Sequence, residues 1–238
     1  METVSVVIPV HNHEQFIGET IESVLNQSHP HIQIIVVDDG STDGTRNILE
    51  TYKEKITVIR QMNAGVVAAR NSGIQQATGD YVCILDCDDI FLPKKVEFQL
   101  SVFRNRPGVG LVHTGATVVQ RGVTGWEVWY HYIPNDYNSR EEYMEALIRS
   151  NIIVCSTVMV KRELFSQVGL FDDNYRYNGE DYDMWLRLLT CCNFGCIPQV
   201  LLHYRWHGAN MSRFMDQSMI RSIQIEGAKR FGRDFNHG

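Results

Sequence analysis

The segment YVCILDCDDIFLP, residues 81–93, sets three carboxylates, Asp86, Asp88 and Asp89, directly after an apolar run. None suits a core, and like charges this close repel, so the segment calls for a positive partner. Asp86 and Asp88 are two residues apart, so on extended backbone their side chains point to one side. Two oxygen donors so placed suit Mg²⁺ or Mn²⁺. The competing reading is an exposed acidic turn, with Asp89 as a helix cap ahead of Pro93. A second acidic pair, Asp38 and Asp39, stands in VVDDGSTDGT. Turn chemistry accounts for Gly40, Ser41 and Asp43, whereas a carboxylate at a strand end also accepts hydrogen bonds from a base or a ribose hydroxyl. A third pair, Glu180 and Asp181 in NGEDYDMWLRL, opens a helical pattern. Acidic residues favour helix N-termini through the macrodipole, with Gly179 or Asn178 as cap. The chemical alternative is a general base, whose pKa the dipole would depress.

Cations follow in NAGVVAARNSGI and HYRWHGANMS. Arg70 sits on a helix among small residues that admit a close neighbour, and it reads as an ion-pair partner or a ligand contact. Arg205 and His207 are two apart at the end of a late strand. His207 reads as a satisfied surface histidine, or as a group that completes an octahedral metal site or touches a phosphate.

These residues need a scaffold. Apolar, β-branched runs at 3–10, 32–38, 56–61 and 80–86 predict strands. Between them, 14–27 places Ile17, Ile21, Val24 and Leu25 on one helical face. A short helix reaches about Tyr52, and 64–77 forms another. Buried strands alternating with helices predict an α/β fold with a mostly parallel sheet flanked by helices. Ligands of such sheets lie beyond the carboxyl ends of the strands, where the acidic pairs stand. After Pro93 the pattern predicts a helix to about Arg104, a strand near 109–120, and an aromatic hairpin or loop over 121–140 bordering the cleft. Helices at 140–149 and 179–190 follow, the latter with Met184, Trp185 and Leu188 as its apolar face. A strand at about 195–204 leads to a terminal helix from about Met211.

At 238 residues and 27.3 kDa the chain is sized for one large domain. The net charge of −6 excludes a general phosphate-backbone binder and hence a nucleic-acid partner. Six cysteines form no C-x-x-C pair, which predicts buried free thiols in the cytosol rather than a disulfide or zinc at CCNFGC. No secretory leader is expected at METVSVVIPVHNHEQ, and no segment approaches the ~20 apolar residues that span a bilayer. The terminal MIRSIQIEGAKRFGRDF is a basic amphipathic helix. It packs on the domain or makes peripheral contact with the inner face of a membrane.

Taken in order, SVVIPVHN, VVDDGSTDGT, NAGVVAARNSGI, GDYVCILDCDD, GEDYDMWLRL and YRWHGANMS resemble the family 2 glycosyltransferases of GT-A fold. They span residues 4–212. The resemblance implies a single Rossmann-like domain over 1–238. Residues 1–115 would form its nucleotide-sugar half, and a smaller acceptor-side substructure with the base would occupy 116–238. It implies an inverting, metal-dependent transferase that moves a sugar from a nucleotide-sugar to a saccharide or lipid-linked hydroxyl. Pro9, Val10, Asn12 and Glu14 would border the nucleotide. Asp39, with Asp38 beside it, would read the base, UDP being favoured. Arg70, Cys87 and Arg205 would lie on the donor side. Asp88 would ligate Mn²⁺ or Mg²⁺ with His207 and Asp86, the last also near the ribose. Asp181 would be the base, with Glu180 as the alternative. The lack of membrane helices implies single addition rather than polymer export. Phe171, Trp185, Trp126, Trp129 and Tyr130 are candidates for stacking on sugar; for Trp185 core packing is the favoured reading. The rivals are a catalytically silent nucleotide-sugar-binding module and a sugar-phosphate nucleotidyltransferase. The latter's Gly-rich loop and basic residue after the first strand are missing from PVHNHEQFIG.

Overall fold

The computed structural model describes residues 1–137, 139–175, 179–208, 210 and 216–233. The chain opens with β1 (Val4–Val10), α1 (Ile17–Leu25), β2 (Ile32–Asp38), α2 (Thr45–Thr51), β3 (Thr57–Arg60), α3 (Val66–Gln76) and β4 (Tyr81–Ile84). These strands pair in parallel in the order β3-β2-β1-β4. Every residue of β1 is buried because both faces of the sheet are covered. Alternation sorts the faces. Val4, Val6, Ile8 and Val10 meet Ile17, Ile21 and Val24 of α1 on one side, while Val7, Ile35 and Val37 meet Val67, Ala69 and Ile74 of α3 on the other.

The second half holds β5 (Ile90–Phe91), α4 (Lys95–Asn105), β6 (Val109–Arg121), β7 (Trp126–Tyr132), α5 (Arg140–Arg149), β8 (Met159–Lys161), α6 (Leu164–Val168), α7 (Glu180–Leu189), β9 (Asn193–Trp206) and α8 (Gln217–Arg230). The sheet continues through β4-β8-β6-β9-β5, with β7 folded back on β6 as the expected hairpin. One sheet therefore runs through both halves. β6 and β9 are parallel, whereas β8, β5 and β7 pair antiparallel.

Three differences from the sequence reading bear on the site. The fourth strand stops at Ile84, two residues early, because the chain turns at Asp86. The two-residue β5 was not anticipated; it exists because Ile90 and Phe91 pair with His203 and Leu202 of β9. α1 begins at Ile17 rather than residue 14, after a turn in which the His13 carbonyl accepts from Phe16 and Ile17. At the other end, α8 starts at Gln217 behind the Asp216 cap; the expected start at Met211 lies outside the described residues. Its Gly227 and Ile223 seat against Leu186 and Gly179, so its apolar face packs on α7. Among the described residues, no helix is long and apolar enough to cross a membrane. Cys83, Cys87, Cys155 and Cys196 are buried free thiols as expected, but Cys191 is exposed and Cys192 partly so, because both stand in the turn between α7 and β9.

α3 reaches β1 closely because position 73 lacks a side chain. A Cβ on Gly73 would stand 2.3 Å from Val7 Cγ1 and 3.2 Å from Val37 Cγ2. Gly73→Leu should thus destabilise the fold by about 1–3 kcal/mol through overpacking, read as a lower urea midpoint. An unchanged midpoint would mean that α3 is not seated this tightly.

Candidate active site

The site forms where β1, β2 and β4 end. After Ile84 the chain turns, and the Asp89 N–H donates to the Asp86 carbonyl at 3.0 Å. This turn corrects the extended-backbone reading: Asp86 and Asp88 diverge instead of forming a two-pronged donor. Asp86 accepts from Arg70 Nη2 at 2.7 Å. The Asp88 Oδ2 lies 2.9 Å from His207 Nε2 and accepts from Asn210 Nδ2 at 3.4 Å. Asp89 is fully buried and caps no helix. Its Oδ1 accepts from the Arg205 backbone at 3.1 Å, and its Oδ2 has no partner. Burial, then the charges of Asp88 and Asp86, push its carboxyl well above the usual range.

Arg205, expected at a diphosphate, is turned into the protein. Its guanidinium bonds the Asp88 carbonyl and Glu19, lies 3.0 Å from Thr20 Oγ1, and packs over the rings of Phe16 (5.0 Å) and Trp126 (5.8 Å). At 2% exposure it has nothing left to offer a ligand; it pins the turn. The Thr20 hydroxyl does the same, 2.8 Å from the Cys87 carbonyl and 2.9 Å from that of Asp89. Cys87, expected on the donor side, lies buried in the turn, its thiol pushed well up by burial and three acidic neighbours.

Arg70 is 4% exposed and divided between two carboxylates. Nη2 holds Asp86, and Nη1 holds Glu180 Oε1 at 2.5 Å. The Phe171 ring covers it at 5.5 Å. α3 thereby joins the turn after β4 to the first turn of α7, which Gly179 enters at φ 101°. The expected cap Asn178 lies outside the described residues. Glu180 is buried and tied to Arg70, with Oε2 unpartnered. Its neighbour Asp181 is half-buried; Oδ2 accepts from Asn151 Nδ2 at 3.2 Å and Oδ1 from the Tyr182 N–H at 2.7 Å. Burial, then the Glu180 charge, raise the Asp181 pKa to about 7, against the opposing pull of Arg70. Desolvation and a like charge in the same turn thus act against the depression expected from the helix dipole.

The remaining predicted residues build loops. Asn12, at φ 56°, accepts from the N–H groups of Thr42 (2.7 Å) and Asp43 (3.3 Å), and Glu14 from Gly44 at 2.6 Å. Pro9 and Val10 are buried in β1. Asp38 accepts from the Ser41 N–H at 2.9 Å, which is turn chemistry. Asp39, expected to read a base, has both oxygens occupied: Oδ1 by Gln61 Nε2 (2.8 Å) and the Ala64 N–H (2.9 Å), Oδ2 by the Gly65 N–H (2.8 Å). It fastens the 61–65 segment that leads into α3. Phe171 and Trp185 are core residues, which removes the former from the sugar-stacking candidates and bears out packing for the latter. Trp126, Trp129 and Tyr130 are exposed on β7, with Trp129 near Trp206 (ring centroids 5.8 Å).

Sequence reasoning missed His11, His13, Asn63 and Asn151. His11 Nδ1 donates to the Asp39 carbonyl at 2.7 Å, and its Nε2 lies 3.1 Å from Asn63 Nδ2. The signal available was the H-N-H triplet at the end of a buried strand. His13, Asp88 and His207 each place one ligand atom within 4.8 Å of the others. Two imidazoles and a carboxylate, all partly buried, fit a divalent cation; Asp86 stands outside this group. Two surface cavities of about 300 and 230 Å³ lie elsewhere, against Leu49 and Arg60 and against Arg106 and Tyr143.

The sequence pattern of Glycosyl transferase family 2 matches residues 5–169. The chain is 38% identical over 190 residues to the putative teichuronic acid biosynthesis glycosyltransferase TuaG of Bacillus subtilis, covering 78% of this chain and 71% of that one. It is 32% identical over 210 residues to the uncharacterized glycosyltransferase RT0329 of Rickettsia typhi, covering 87% of this chain but only 64% of the relative's length. Among solved structures, Staphylococcus aureus TarS 1-349 in complex with UDP-GlcNAc superposes with TM-score 0.73 at 20% identity, over 99% of this chain and 68% of that one. That likeness establishes a shared fold.

Arg70→Met should cost about 3–5 kcal/mol, the typical effect of stranding a buried charge, and adding Glu180→Gln should recover part of it in urea unfolding. Asp181 has a folded pKa of about 7 against an ordinary 3.8. Between those values the folded state binds the extra proton, so stability falls as pH rises from about 4 to 7. Asp181→Asn should therefore melt above wild type at pH 8, with the gap closing toward pH 4. An equal gap at both pH values would contradict the assignment.

Proposed function

We propose that this chain, which belongs to glycosyl transferase family 2, is an inverting glycosyltransferase with Asp181 as its general base. The observation that carries the reading is geometric: Asp181 stands half-buried in the first turn of α7, held by Asn151 and beside the Glu180 that Arg70 ties to the strand-end turn, and burial raises its pKa. A base titrating near neutrality is ionised often enough to act and basic enough to take a proton as it is released. Helix geometry and the Asn151 contact aim the carboxylate, and Arg70 holds Glu180 so that only Asp181 remains to exchange a proton. The acceptor hydroxyl passes its proton to Asp181 as its oxygen attacks the anomeric carbon. The diphosphate leaves from the opposite face, so configuration inverts and no covalent enzyme intermediate forms.

The donor is a nucleotide-sugar, with UDP favoured. The structural neighbour was solved with UDP-GlcNAc, and Asp39, with the 61–65 segment it fastens, borders the base. Asp88 and His207 would hold a divalent ion, Mn²⁺ or Mg²⁺. When bound, that ion supplies positive charge against the leaving diphosphate. Trp126, Trp129 and Tyr130 offer apolar faces to a saccharide or lipid-linked acceptor. Cytoplasmic placement suits a nucleotide-sugar donor. With the apolar face of α8 already on α7, any peripheral membrane contact falls to other surfaces.

Asp181→Asn should lose about 10²–10⁴ in turnover while its calorimetric affinity for UDP stays at the wild-type value. In the wild type, turnover should rise about tenfold per pH unit and level off above about 7. Near-normal transfer by Asp181→Asn would refute the base assignment. Donor hydrolysis tests the silent-module reading, which requires none.

A further inference from the structure

We propose that His13 is a third protein ligand for the cation placed at Asp88 and His207, giving a two-histidine, one-carboxylate site that prefers a transition-metal ion over Mg²⁺. The inference rests on the reading of Asp88 and His207 as a cation site and adds to it the ligand that sets selectivity.

The geometry carries the assignment. His13, Asp88 and His207 offer ligand atoms that all lie within 4.8 Å of one another. Donors bound to one ion at ~2.1 Å stand ~3 Å apart when adjacent and ~4.2 Å apart when opposite. The 2.9 Å from His207 Nε2 to Asp88 Oδ2 already meets the first spacing, and His13 lies within 4.8 Å of both. The His13 ring is also prepared for the task. Its Nδ1 lies 2.7 Å from the His11 carbonyl, which can only accept, so Nδ1 carries the proton and Nε2 the lone pair. An imidazole ligand is ordinarily fixed by just such a bond from its other nitrogen. The backbone is held as well: the His13 N–H donates to Thr45 Oγ1 at 3.1 Å, and its carbonyl accepts from Phe16 and Ile17. Phe16 lies beside both histidines, stacked on His207 at 4.8 Å and 6.1 Å from His13, and forms an apolar wall to the site.

Selectivity follows from the donors. Imidazole nitrogen suits Zn²⁺, Co²⁺, Ni²⁺ and Fe²⁺, whereas Mg²⁺ keeps oxygen ligands and water. Charge points the same way. Asp86 is engaged by Arg70, so the protein gives the ion one carboxylate. The loaded site keeps a net positive charge toward an incoming diphosphate. Plain aromatic packing of His13 explains its contacts with Phe16 and His207 but gives no use to a nitrogen lone pair aligned by its own loop.

The test is calorimetric titration of Co²⁺ and of Mg²⁺ into metal-free wild type, His13→Gln and Asp88→Asn, with melting curves of each. The expected result is that wild type prefers Co²⁺. His13→Gln should lose more than about tenfold in Co²⁺ affinity with Mg²⁺ affinity little changed, and Asp88→Asn should lose both. If His13→Gln keeps wild-type Co²⁺ affinity while Asp88→Asn does not, the third ligand is refuted and the Asp88–His207 reading stands. If wild type binds neither ion, that reading fails first and this one with it. Pulsed EPR of Mn²⁺-loaded wild type gives an answer that needs no variant: two coordinated imidazole nitrogens support the proposal, and one overturns it.

Discussion

The site depends on one buried cation. Arg70 reaches Asp86 with one nitrogen and Glu180 with another, at 2.7 and 2.5 Å, under the Phe171 ring. Asp86 belongs to the turn after β4, Glu180 to the first turn of α7, and more than ninety residues of chain separate them. Two carboxylates brought this close would repel. With the guanidinium bonded to one oxygen of each, the repulsion is offset and the two parts of the chain meet at a defined distance. Arginine suits this place because its planar fork serves two acceptors at once and stays charged when buried. Such bridges contribute little net stability, yet losing one partner is costly, so the arrangement fixes geometry more than it adds free energy.

The rest of the molecule serves that placement. Gly73 lets α3 lie against β1 and sets the depth at which Arg70 emerges. The continuous sheet carries β9 alongside β6 and delivers Arg205 and His207 to the turn that β4 introduces. Arg205 holds that turn from beneath, through the Asp88 carbonyl and the Asp89 carboxylate. Asp88 is thus presented to His207 and His13 instead of pointing with Asp86. On the other side of Arg70, Asp181 keeps a partly desolvated carboxylate beside a charged neighbour, and its proton affinity rises. The Asp88–His207–His13 group and Asp181 are thereby held apart.

The alternating elements of the first half were legible because buried parallel strands and amphipathic helices write strong periodic patterns. The two-residue β5 was not legible, since it exists only through pairing with β9. The clustering of the acidic and histidine residues was partly legible. Asp88 and His207 meet as their motifs suggested, but Asp86 does not join them, because a turn rather than a strand separates the two acids. Arg205 illustrates the same limit: its type and position are visible in YRWHG, while the direction of its side chain is settled by Glu19, Thr20 and Phe16 far away in sequence. For Asp181 the helix-dipole argument points down while burial and the Glu180 charge push up, and burial is a tertiary fact. His13 carried a faint signal in H-N-H, and only the fold brings it to Asp88.

The central claim is that burial, with the Glu180 charge beside it, leaves Asp181 titrating near neutral pH. The most direct test is a ¹³C NMR titration of protein labelled at aspartate carboxyls, with Asp181→Asn to assign the resonance. A midpoint near 7 that is absent from the variant is the predicted result. An Asp181 resonance that titrates at its ordinary value near 3.8 would contradict the account, and the base would have to be sought elsewhere.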